Sequence, residues 1–208
     1  MNEKLNRVKD IVLPNKRVNY FIFSVVIIGI ITGSIFFTFI SNNDKTEVIN
    51  LINNFLTTIK DSTFDSGLAL KNSLITNLIL VVFIWIFGMS IIGLLFNVFI
   101  IYIKAFLLGF SVASLIGSLG IKGIVMAFIY VFPSQIINII AIMVLGIYSA
   151  IFSIHLIKLI MQKKNSNNNI FKKYFVIFIF AIISSVISAL SDAYLLPNLV
   201  KLVIGLYT

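Results

Sequence analysis

The sequence predicts an all-α, polytopic integral membrane bundle of about five transmembrane helices, with one amphipathic helix lying outside the membrane. Three observations carry this. Of 208 residues, 60% are hydrophobic and 11% are charged, and the mean hydropathy is +1.10, whereas soluble domains carry about 25% charged residues. The charges sit between long uncharged runs, as spans of roughly 20 apolar residues require. The basic residues are also distributed unevenly between alternate connections, the mark of a fixed orientation in a bilayer.

The elements follow in order. Residues 1–17 form a basic N-terminal segment, and the uncharged run after Arg17 gives a first span at 18–40, too long for the core of a signal peptide. Residues 41–71 are a connecting segment outside the membrane. Within it Val48, Leu51, Ile52, Phe55, Leu56 and Ile59 fall at helical spacing on one face, and Asp44 with Glu47 resembles a capping box. Such a helix either lies apolar face down on the leaflet or docks a partner. Asp61 and Asp65 read as a solvated loop, because a segment of this size cannot enclose a catalytic pair.

A second and third span are expected at 74–97 and 100–119, joined by a tight turn near Asn97 or Lys104. The uncharged run 123–157 exceeds one crossing and contains Pro133, which removes a backbone donor. It is either one kinked span or a re-entrant helix, 123–132, followed by a span, 135–157. A basic connector, 158–173, leads to a fifth span at 174–191 and a tail, 192–208. With the N-terminus cytoplasmic, eleven Lys or Arg fall inside and five outside, predicting an N-in, C-out topology. The formal charge of +9 then reports sidedness and anionic inner-leaflet lipid rather than nucleic acid.

Chemistry is sparse. The chain has no cysteine, which excludes disulfides and thiolate nucleophiles or metal ligands. Lys104, Lys122 and Asp192 are expected at span ends, and His155 near the inner boundary, so no ionisable group is placed at mid-membrane as a transporter would need. A metal or aspartyl intramembrane protease would need ligands or paired aspartates that the spans lack. No catalytic, metal or cofactor residues are expected. Gly29 and Gly33 form GxxxG, and Gly109, Ala113 and Gly117 recur every four residues; both are expected to be packing faces of the bundle, with a homo-oligomer seam as the other use of such a stripe. Ser184 and Ser188 stand in line with Asp192. Ser134, Gln135 and Asn138 are expected to satisfy backbone groups freed by Pro133, or else to line a path for a small solute through a broken fourth span.

The stretch from Phe83 to Lys158 resembles the stage II sporulation protein M family. The likeness rests on Trp85, the Gly88 to Gly93 turn, Lys104 before Gly109 and Phe110, the Gly120-Ile-Lys-Gly123 turn and Pro133. Broader relatives carry a Pro-His pair with a Glu four residues on, where this chain has Ser134 and Asn138, so the endospore-former branch is the better match. The resemblance implies a non-enzymatic scaffold at the sporulation septum and engulfing mother-cell membrane. It further implies that the scaffold holds the peptidoglycan hydrolases, stage II sporulation proteins D and P. The surface expected to contact them comprises Val48, Leu51, Ile52, Phe55 and Ile59, with Leu199, Val203 and Leu206 of the C-terminal segment. Membrane lipid is the other expected partner; a small-solute channel or transporter subunit is the alternative function.

Overall fold

The computed structural model describes residues 15–90, 92–162 and 168–206. Most of the basic N-terminal segment, part of the connector at 158–173 and the side chains of Pro133 and Leu206 lie outside the described residues. All regular structure among the described residues is helical. The helices are α1 (Lys16–Phe39), α2 (Asn42–Lys60), α3 (Ser66–Gly88), α4 (Gly93–Leu119), α5 (Ile121–Tyr130), α6 (Ile136–Gln162), α7 (Asn168–Leu190) and α8 (Leu196–Leu206). Five stretches are long and apolar enough to cross a membrane: Lys16–Phe39, Ser66–Gly88, Gly93–Leu119, Ile136–Leu159 and Ile170–Ile204.

The central pillar is α6, with 67% of its most apolar stretch buried against 17–44% in the other four. Ala141, Ile142, Leu145, Ile147 and Tyr148 of this helix join Val81 and Ile84 of α3, Ile101 and Ala105 of α4, and Tyr174 and Ala181 of α7 in the main core. The closest helix pair is α1 with α4. A Cβ on Gly33 would lie 2.0 Å from the Phe106 carbonyl oxygen, and one on Gly109 would lie 2.1 Å from that of Ile30. These glycines therefore let two backbones touch, as small residues do between membrane helices. Ser34 Oγ donates to the Gly109 carbonyl at 3.1 Å across this seam. Gly29 abuts Ala105, Gly117 abuts the Phe37 ring, and Ala113 is half-buried on the same helix.

The turn between the second and third spans is not near Asn97 or Lys104 but between Gly88 and Gly93. The chain folds back there so sharply that a Cβ on Gly93 would meet the Phe87 carbonyl at 1.6 Å. Lys104 is consequently the twelfth of 27 residues in α4, about 17 Å from its start at the usual helical rise. The last carbonyls of α3 need partners where water is scarce. Tyr174 Oη lies 2.9 Å from the Trp85 carbonyl and 3.1 Å from that of Ile84, and Ser153 Oγ lies 2.9 Å from that of Gly88. Asn97 donates to Ser149 in the same buried network.

Two helices break. Phe132 is extended (φ −99°, ψ 134°), as the residue before a proline prefers to be, and the backbone kinks there between α5 and α6. In the second break the Leu196 N–H bonds five residues back to Ser191. Pro197, which has no donor of its own, follows directly, and a wide turn at this point is a common response. The expected tail at 192–208 is thus largely helix α8. The two breaks and their helices pack against one another, and α8 joins a second core in which Ile59, Met126, Leu196, Val200 and Val203 are buried together.

Gly120 joins α4 to α5 at φ 60°, ψ −131°, a region open essentially to glycine alone, and no atom lies within 4 Å of a Cβ built there. Gly120→Ala should therefore cost about 2 kcal/mol from backbone strain alone, read as a lowered midpoint of thermal unfolding in detergent. An unchanged midpoint would show that the turn relaxes freely.

Candidate intramembrane site and the platform above it

At the end of the bundle that carries α2, Ser41 caps the helix: its Oγ accepts the Asp44 N–H at 3.2 Å and donates to the Asp44 carboxylate at 2.7 Å. The start is thus Ser41 with Asp44, one turn earlier than an Asp44–Glu47 box would place it. Asp65 caps α3 by accepting from Gly67 N and Leu68 N at 2.9 and 3.0 Å, so this carboxylate has a structural task. The apolar stripe of α2 divides. Ile59 is fully buried in the second core, facing Val203, Val200 and Leu196 of α8. Ile59 and Val203, expected on a recruiting surface, are instead the bolts that hold α2 to α8. The physical reason is that a helix following Pro197 offered them an apolar partner within the chain. Leu199 is half-buried. Leu51 remains 63% exposed and Phe55 39% exposed.

Beneath α2 lies a cavity of about 550 Å³ lined by Val48, Leu51, Ile52, Phe55, Phe110 and Leu115, among others, with Ser111, Tyr130, Gln135 and Asp192 at its inner side. A second cavity of about 400 Å³ shares those same four residues and adds Asn72, Ser73, Thr76, Asn77 and Lys104. The first is chiefly apolar and the second is the more polar of the two. Both volumes fall in the usual range for small-molecule sites, about 300–1,000 Å³.

Asp192 sits in the wide turn before Pro197, which swings it towards α3, where one carboxylate oxygen accepts from Ser73 Oγ at 2.8 Å. Asn77 donates to the same Ser73 oxygen at 3.3 Å. The other oxygen of Asp192 is buried without a partner. Lys104 lines the same cavity from α4, so that a carboxylate and an ammonium share it. Tyr130, at the end of α5, lines both cavities together with Ser111 of α4. Gln135 is only 8% exposed, and it lines both cavities.

One turn further along α6, Asn138 is fully buried with both amide atoms unpartnered, and Ser134 Oγ is likewise unpartnered. Ser134 and Asn138 therefore do not re-satisfy the backbone at Pro133, contrary to expectation. On the facing helix Ser185 and Ser188 are also buried without partners. The alignment of Ser184, Ser188 and Asp192 was the visible sequence signal for this polar seam. The sequence conceals Lys104, because ionised residues ordinarily mark the ends of spans whereas this one lies inside α4. Among the described residues no group of three or more His, Asp or Glu could hold a metal ion.

A bundle of five membrane-length helices with two broken elements meeting at a polar cavity defines a multi-pass membrane protein. Its sequence matches the family model for stage II sporulation protein M over residues 21–197, and the chain belongs to that family. No curated protein and no solved structure matches it. The family places it among sporulation membrane proteins.

Proposed function

We propose that the protein is a non-enzymatic membrane scaffold that recruits and steadies peptidoglycan hydrolases, stage II sporulation proteins D and P in the family's terms, at the septal and engulfing membrane. The supporting observation is the platform at one end of the bundle. Helix α2 is fastened to α8 through Ile59 while Leu51 and Phe55 stay exposed, an arrangement that presents apolar anchors on a braced support. Retaining the N-in topology, the platform faces the wall. The orientation survives the relocation of Lys104 into the middle of α4, since ten bases against five still lie on the inner side.

Leu51→Lys with Phe55→Lys should abolish co-purification of the hydrolases and stall engulfment, with the protein still inserted and at normal abundance. Ile59→Ala provides the contrast: loss of a fully buried side chain costs about 2–5 kcal/mol and should lower stability and abundance first. Normal recruitment by the stably inserted Leu51/Phe55 double variant would sink the assignment of this surface. A solute path through the broken fourth span is the second reading, favoured by the unpartnered Ser134 and Asn138. Flux into liposomes that stops on replacing Ser134, Gln135 and Asn138 would support it.

A further inference from the structure

The apolar cavity shares Leu51 and Phe55 with the recruiting face of α2, but the polar cavity beside it has no part in that face, and the two together suit something with two unlike ends. We propose that they bind one phospholipid with a primary-amine headgroup, of the phosphatidylethanolamine class. Its ammonium lies against Asp192, its phosphate lies against Lys104, and an acyl chain occupies the apolar cavity under α2.

Three observations select this occupant. The polar cavity presents one carboxylate and one ammonium, Asp192 and Lys104, with no hydrogen bond or ion pair joining them among the described residues. Opposite charges that share a cavity without pairing complement a zwitterion better than they complement either ion alone. Next, Asp192 is half-engaged: Ser73 holds one oxygen, while the other is buried and unpartnered. A buried carboxylate oxygen with no donor is costly, and a primary ammonium supplies N–H donors where a quaternary one has none. Gln135, nine-tenths buried and lining both cavities, carries an amide able to donate to a phosphate or ester oxygen. Last, the apolar cavity adjoins the polar one, the two sharing Ser111, Tyr130, Gln135 and Asp192 in their walls. A soluble zwitterion would leave it unfilled; a lipid would not.

The test uses the full-length protein, purified and delipidated, then offered phosphatidylethanolamine, phosphatidylglycerol or phosphatidylcholine in mixed micelles, with bound lipid read by native mass spectrometry. The wild type should retain phosphatidylethanolamine about tenfold over the other two, the scale of one charge-assisted hydrogen bond. Asp192→Asn should remove that preference and leave phosphatidylglycerol unchanged. Lys104→Met should lower retention of all three, and Lys104→Arg should restore it.

Should Asp192→Asn fail to fold, Val48→Trp fills the apolar cavity from the exposed helix and should lower lipid retention by itself. Equal retention of the three lipids by the wild type, or undiminished preference in a folded Asp192→Asn protein, would overturn the proposal. Displacement of the lipid by soluble phosphoethanolamine would also overturn it, since the apolar cavity would then contribute nothing. Hydrolase is absent throughout, so the outcome is separate from that of the scaffold reading.

Discussion

Gly33→Ala and Gly109→Ala should each destabilise the bundle by about 2 kcal/mol, and Gly33→Leu should give no folded protein. The sign is not obvious, because alanine is the better helix former by about 1 kcal/mol. What reverses it is the identity of the neighbour. The new Cβ would lie 2.0 Å from the Phe106 carbonyl oxygen at position 33 and 2.1 Å from the Ile30 carbonyl oxygen at position 109. Backbone cannot rotate aside, so α1 and α4 must separate, and the Ser34 bond to Gly109 is lost with them. Overpacking on this scale costs about 1–3 kcal/mol, occasionally more. Gly117 supplies the internal control, since its Cβ would meet a ring carbon of Phe37 at 2.5 Å. A side chain that can swing makes Gly117→Ala near neutral. Thermal unfolding in a mild detergent gives the ranking. Equal midpoints for the variants at 33, 109 and 117 would refute the claim that backbone contact sets the cost, and oligomeric state measured alongside would expose any homo-oligomer seam on the same face.

The parts of the fold set by local chemistry were readable from residues alone. Apolar length marks five spans, the 3.6-residue stripe marks α2, and small residues every four positions mark packing faces, though not which helices they join. The parts that depended on non-local contact were not. Lys104 was assigned to a turn because ionised residues are rare inside spans; the real turn was marked instead by Gly88 and Gly93, whose role depends on how closely Phe87 and Tyr174 approach them. Likewise the periodicity of α2 identified an apolar face but not what it faces. Whether Ile59 meets lipid, a partner or Val203 is decided by α8, more than a hundred residues away in the chain. The candidate site was half-legible for the same reason. Ser134, Gln135 and Asn138 were singled out from their place beside Pro133, whereas Asp192 and Lys104 enter one cavity only because the wide turn before Pro197 brings the first towards α3 and the unbroken α4 carries the second to mid-length.

Two substitutions of similar size, one in each polar region, should move stability in opposite directions. Tyr174→Phe removes a hydroxyl that lies within hydrogen-bonding distance of the Ile84 and Trp85 carbonyls, at the end of a helix whose last acceptors have few other donors. Leaving a buried acceptor unmet costs about 1–3 kcal/mol, and the space under Gly88, where the hydroxyl sits, is also vacated. Asn138→Leu does the reverse. Both amide atoms are buried and without partners, so the native residue already bears that penalty, and a leucine of similar volume removes it while adding apolar contact with the core of α6. The expected result is a lower unfolding midpoint for Tyr174→Phe and a higher one for Asn138→Leu in delipidated protein. A stabilising change at a buried polar position marks a residue kept for something other than folding. If Asn138→Leu instead destabilises as Tyr174→Phe does, Asn138 belongs to a satisfied structural network, and the polar seam between the two broken helices loses its standing as a functional site.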